Sequence, residues 1–429
     1  MLRSFAAGFI ALAAIVSPLP AQNDAEVLKS LPHKNETFLF LVNESVVLVQ
    51  WPHTLKLVNA PENVTLLNPG QCIRVGVVAT GDNRDQYLEK TKLSFRVGFA
   101  GQTQDHVLAP LAQTKQIKPE GGDFVMALAT VGGLKVPPLT MASLGVSPDN
   151  WCVPADAVDG SATVEAELET PSGHKTLKPA TIQIESFETG SKRSFKDEEG
   201  LNGFLMTYYR HPDPARLFPA LQFFAADAKA RQNRGTPEST AASIGSALKA
   251  DPVAAKDFMV RVSGQSGFTR DFGLIALRFA GCDIEPALKA MSEGDRQMFA
   301  RLPTLPDPDE MSADGENATR LDILWGVFMT TGEFAPVQKI ASTLAWRSYW
   351  EAFEKLIKTP NHPTEWTPSI ARAVTYGAAG WALGSFQRTD PLAADYIEYM
   401  LASPDTPPAV KSELTGLATN PAFQQTNGK

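Results

Sequence analysis

The chain has 429 residues, 43% hydrophobic and 20% charged, which excludes wholesale disorder and predicts two or three domains. Its 47 Asp and Glu exceed its 39 Lys and Arg, for a formal net charge of −8. With no basic block to grip a phosphate backbone, nucleic-acid binding is excluded as an expected function.

The N-terminus reads as an export signal. Arg3 supplies a positive start, Phe5 to Val16 is apolar or small, and Pro18 and Pro20 end any helix. Residues 1–21 are the expected signal peptide, cleaved after Ala21, and residues 22–34 a tail. Leu19 departs from the small residue preferred at its position, so an uncleaved N-terminal anchor is the alternative. The apolar run falls short of the about 20 residues that span a bilayer. The mature chain is expected to be soluble, periplasmic or secreted, without membrane insertion.

Residues 35–187 carry strand and turn signals. Thr37–Val42, Ser45–Gln50 and Cys72–Ala79 are short runs rich in β-branched or aromatic residues. Leu93, Phe95, Val97 and Phe99 alternate with Ser94, Arg96 and Gly98, the period of a half-buried strand. Asp123–Thr130 is another candidate. Ala162–Glu169 alternates again and reads as a hairpin with Thr181–Ile184 across the turn at Thr170–Gly173. Many short strands punctuated by Gly and Pro imply an all-β, immunoglobulin-like sandwich, one elaborated or two small. Cys72 and Cys152 fall in this half and are the expected disulfide, permitted by export; Cys282 is left free in a helical context.

Residues 188–194 are polar and small and read as a linker. Residues 195–429 then change character. A capping residue followed by proline recurs at Asp213-Pro214, Thr236-Pro237, Asp251-Pro252, Thr367-Pro368, Asp390-Pro391 and Thr406-Pro407. The cap oxygen satisfies free amides, and proline fits where an N–H has no partner. Leu321, Leu324 and Phe328 share a helical face, with Ile323 and Val327 adding a second. Trp346, Tyr349, Trp350 and Phe353 follow i, i+3, i+4, i+7, a stripe read as core. Capped short helices predict an all-α, helical-repeat, α-solenoid-like domain. The whole is a multi-domain α+β chain.

The stretch Leu321–Ile340 resembles a helix-turn-helix unit of exported bacterial proteins of unknown function, with a C-terminal helical region like tetratricopeptide or HEAT repeats. The tetratricopeptide W-x-x-L-G pattern is not met, since Trp381-Ala-Leu-Gly384 is one residue short. The resemblance implies a binding scaffold and carries over no catalytic residue.

Motifs for chemistry are sparse. The six histidines (His33, His53, His106, His174, His211, His362) lie apart and no C-x-x-C or H-E-x-x-H occurs, so no metal site is expected. Gly264-Gln-Ser-Gly267 lacks the nucleophile-elbow spacing, and no phosphate or dinucleotide loop exists, so no cofactor is expected. The acidic run Asp307–Glu316 misses the EF-hand positions and reads as a solvated loop. Tyr208, Tyr209, Arg210 and His211 are the candidate binding residues, being of types that anchor interfaces; core packing is the competing reading. The expected function is an adaptor binding a protein or peptide of the cell envelope without catalysis. The alternative is a hydrolase of envelope glycan or peptide with its site between the two halves.

Overall fold

The computed structural model describes residues 37–43, 48–51, 54–57, 64–80, 84–111, 113–117, 142–227, 236–302, 304–307, 319–359 and 367–419. The signal segment, Ala21 and the strand expected at Asp123–Thr130 lie outside them. A mixed-sheet region in the N-terminal half is followed by a helical C-terminal half. The described residues divide into two compact units, one within Ser17–Arg193 plus Asp213–Arg216, the other within Ser194–Pro212 plus Leu217–Lys429.

In the sheet unit the strands are β1 (Thr37–Asn43), β2 (Leu48–Trp51), β3 (Thr54–Leu57), β4 (Leu66–Leu67), β5 (Cys72–Thr80), β6 (Lys92–Phe99), β7 (Gln102–Pro110), β8 (Gln113–Ile117), β9 (Ala142–Cys152), β10 (Gly160–Thr170), β11 (Gly173–Thr176) and β12 (Ala180–Ile184). Helix α1 (Arg84–Glu89) joins β5 to β6. One sheet runs β1-β5-β9-β8, a second β4-β12-β10-β6-β7 with β11 also on β10, and β2 and β3 form a ribbon. Among the described strands only β4 and β12 run parallel; the other pairings are antiparallel.

The alternation in the sequence decides which face is buried. Leu93, Phe95 and Val97 of β6 and Ala162, Val164, Ala166 and Leu168 of β10 point inward. They join Leu39 and Leu41 of β1 and Ile73, Val75 and Val77 of β5 in one hydrophobic cluster. Burying a side chain of this size is worth about 1.5–3 kcal/mol, so one-residue slips of register are strongly disfavoured. The expected hairpin after β10 returns in two pieces: β11 pairs with Glu167–Thr170 and β12 with Gly160–Val164. Pro179, which has no N–H to donate, sits in the break between them. Cys72 and Cys152 face each other in register at the ends of β5 and β9 and are disulfide-bonded.

The segment read as a linker is ordered. Helix α2 (Phe187–Gly190) is capped by Ser186, whose Oγ accepts from Thr189 N at 3.3 Å. Arg193 then donates to Glu185 and, at 2.8 Å, to Asp213, which precedes the 3-10 turn Pro214–Arg216.

The helices of the second unit are α3 (Glu198–Met206), α4 (Leu217–Ala226), α5 (Thr236–Ala250), α6 (Pro252–Ser263), α7 (Gly267–Phe279), α8 (Glu285–Ala290), α9 (Glu293–Phe299), α10 (Thr319–Thr331), α11 (Phe334–Ser342), α12 (Arg347–Ile357), α13 (Pro368–Thr389), α14 (Pro391–Ala402) and α15 (Pro408–Thr419). A 3-10 turn, Thr343–Trp346, leads into α12. At Asp251, Thr367 and Asp390 the cap–proline pair starts a helix as the sequence implies. Asp251 accepts from Val253 N and Ala254 N, Thr367 from Ile370 N, and Asp390 from Ala393 N. Gly264 and Ser266 flank the turn between α6 and α7, and Gly267 there has φ +58°.

Helix α10 lies at the centre of the unit. Leu321, Ile323, Leu324, Trp325, Val327, Phe328 and Met329 are all buried, so both faces read from the sequence lie inside the unit. Gly326 permits its approach to α5: a Cβ there would meet Ser239 O at 2.6 Å and Ser243 Oγ at 2.7 Å.

Candidate functional site

The four residues singled out in the sequence, Tyr208–His211, follow α3. Tyr208 and Tyr209 are 4% and 2% exposed. The Tyr209 ring lies 5.8 Å from Phe328 of α10, and its hydroxyl donates to Asp390 Oδ2 at 2.7 Å. Arg210 Nε donates to that hydroxyl at 2.9 Å, and its Nη2 to Asp390 at 3.2 Å. Burial, with the Asp390 charge adding, pushes the Tyr209 hydroxyl well above its ordinary range, so it stays a donor. Tyr396 of α14 donates to Gly332 O at 2.5 Å in the neighbouring turn, where Gly332 takes φ +67°. These groups tie the loop after α3 to the starts of α11 and α14. The two tyrosines spend their area inside the unit; His211 is exposed and Arg210 partly so.

The residue types that anchor interfaces gather instead around α12 and α13. Of the stripe read as core, only Phe353 is buried, at 9%, while Trp346, Tyr349 and Trp350 keep part of their surface in water. The Arg372 guanidinium sits 5.2 Å from the Tyr349 ring centroid and 5.9 Å from that of Trp346. Its Nη1 donates to the Tyr349 hydroxyl at 2.8 Å. Trp350 and Tyr376 lie 6.1 Å apart. Trp350 rests on Gly377, where a Cβ would meet the ring at 2.8 Å.

A polar rim fixes these rings. Tyr376 donates to Glu413 Oε2 at 2.6 Å, and Arg347 Nη1 donates to Glu413 Oε1 at 2.7 Å. Arg347 Nε also donates to Glu351 at 2.9 Å. Burial and then the Glu413 carboxylate raise the Tyr376 hydroxyl's pKa, while the hydrogen bonds to Glu413 and Glu351 raise that of Arg347. The result is a partly wet aromatic ledge whose side chains already hold one another in place. Side chains that need no further ordering bind at lower entropic cost.

A second feature is a carboxyl pair. Asp322, in the first turn of α10, is pushed up to about 7 by burial and by the charge of Glu238 in the first turn of α5. Glu238 Oε2 is buried without a hydrogen-bond partner. No residue spacing reveals this pair, because it lies on helices far apart in the chain. Among the described residues no group of three or more His, Cys, Asp or Glu could hold a metal ion, and no helix is long and apolar enough to cross a membrane. Cys282 is a free, partly buried thiol whose pKa burial raises. The acidic run beyond Asp307 lies outside the described residues.

No protein-family model matches the chain, and no curated protein matches it in sequence.

Proposed function

We propose that the chain is an exported soluble adaptor that binds a protein or peptide of the cell envelope without catalysis. The observation that carries this reading is the ledge of Trp346, Tyr349, Trp350 and Tyr376 with the Arg372 guanidinium within 6 Å of two of its ring centroids. Trp, Tyr and Arg are the residues that dominate binding energy at protein interfaces. The disulfide supports export. On this reading the sheet unit is an immunoglobulin-like sandwich and the helical unit an α-solenoid of the tetratricopeptide or HEAT kind. Such arrays offer extended faces to partners.

The test is capture of partners from envelope extract by the full chain, followed by affinity measurement on the purified partner. Trp346→Ala and Arg372→Lys should each weaken binding while the circular dichroism is unchanged. Arg372→Lys keeps the charge and loses the planar fork that lies against the rings and donates to the Tyr349 hydroxyl. Turnover of a peptidoglycan or peptide panel by the purified chain would overturn the adaptor reading in favour of a hydrolase.

A further inference from the structure

Tyrosine–arginine pairs in the helical unit converge on carboxylates. Arg210 Nε donates to the Tyr209 hydroxyl at 2.9 Å, and both side chains then donate to Asp390 Oδ2, the hydroxyl at 2.7 Å and Arg210 Nη2 at 3.2 Å. The Tyr376 hydroxyl and Arg347 Nη1 take one oxygen each of Glu413, at 2.6 and 2.7 Å. Tyr349 of α12 and Arg372 of α13 repeat the first half of this pattern. Arg372 Nη1 donates to the Tyr349 hydroxyl at 2.8 Å. Among the described residues, however, no carboxylate pairs with either side chain.

The donors of this third pair are therefore unspent. A hydroxyl that accepts from arginine keeps its own proton to donate, and a guanidinium has further N–H groups beside the one already used. Both side chains are half-buried at the ledge, as is Trp346, whose ring centroid lies 5.9 Å from the guanidinium. The carboxylates nearest in the same network are taken: Glu351 and Glu413 both accept from Arg347. The complement of two adjacent donors without an acceptor is a group that only accepts, and an ionised carboxylate does so at both oxygens. A chain terminus is ordinarily captured by a nest of backbone N–H groups. The donors here are side chains, and the carboxylates that satisfy the other two pairs, Asp390 and Glu413, are side chains as well.

We propose that Tyr349 and Arg372 form a receptor for an Asp or Glu side chain of the partner, with the Trp346 ring taking an apolar residue next to it. The partner's carboxylate fills the place that Asp390 and Glu413 fill for the other two pairs. This rests on the adaptor reading and names the chemistry of its partner.

The test titrates the full chain at pH 7 with N-acetyl-Phe-Glu amide and with its Phe-Gln counterpart. The Trp346 indole and Arg372 side-chain N–H resonances are followed by NMR. The Glu peptide should bind about fivefold tighter or more, the weight of a well-formed exposed ion pair. This comparison is made on the unaltered chain and needs no variant to fold. Arg372→Gln should erase the preference for Glu, and Tyr349→Phe should reduce it, with circular dichroism unchanged in both. Equal affinity for the two peptides, a Glu preference retained in Arg372→Gln, or no saturable shift at millimolar peptide would overturn the receptor. Tighter binding of N-acetyl-Phe-Gln with a free terminal carboxylate than of the Glu amide would overturn the side-chain assignment in favour of a chain terminus. If the Glu preference is absent while Trp346→Ala still weakens binding of the purified envelope partner, this inference fails and the adaptor reading stands. If partner binding is indifferent to Trp346→Ala, the adaptor reading fails on its own measurement.

Discussion

At the scale of single residues, burial rather than residue type decides what each side chain does. Tyr209 and Tyr349 are both tyrosines beside an arginine, yet one closes the interior and the other lines a ledge. Tyr209→Phe removes one hydroxyl that donates to the Asp390 carboxylate. A buried bond to a charged group is worth about 1.5–3 kcal/mol, so denaturant unfolding should show a loss of that size. A change under 0.5 kcal/mol, on the order of an ordinary surface substitution, would show that the contact does not lock the turn.

Asp322 makes a prediction of opposite sense to most surface carboxylates. Its folded pKa of about 7 lies above the unfolded value of about 3.9. The folded chain therefore binds more protons, and the stability this group contributes is present below the unfolded value and lost as pH rises through 7. Asp322→Asn should be more stable than the parent at pH 8 by about 2–4 kcal/mol and close to it at pH 4. Equal pH slopes for the two chains in thermal melts would refute the shift.

At the scale of elements, local chemistry explains what was legible in the sequence. Period-two alternation placed β6 and β10 with their buried faces, because each strand has one wet side. Cap–proline pairs marked the starts of α6, α13 and α14, because their cause lies within four residues. The stripe from Trp346 to Phe353 was visible, but how much of each ring stays in water depends on α13, which joins through Gly377. The Glu238–Asp322 pair was not visible, since helix pairing creates it. The disulfide was legible from strand context and export. It joins residues separated by 80 positions, for which loop entropy gives about 4–4.5 kcal/mol. Cys72→Ser with Cys152→Ser should lose stability on that order in urea, with Cys282 unaffected as the free thiol. A loss below about 1 kcal/mol would mean that β5–β9 pairing survives in the unfolded ensemble.

At the scale of the whole molecule, the two units divide the work. The sheet unit holds the disulfide, and the helical unit holds the ledge. The proposed export, with cleavage after Ala21, predicts that N-terminal sequencing of secreted material begins at Gln22. Met1 at the start of purified exported protein would favour an uncleaved anchor.

The adaptor account rests most directly on the ledge, and one measurement tests it: the Kd of the purified envelope partner for the full chain and for Trp346→Ala and Arg372→Lys. A true anchor costs 2 kcal/mol or more on truncation, about thirtyfold in Kd. The account predicts a loss of that order for Trp346→Ala and a clear loss for Arg372→Lys, with both chains folded. Unchanged affinity in both folded variants would contradict it.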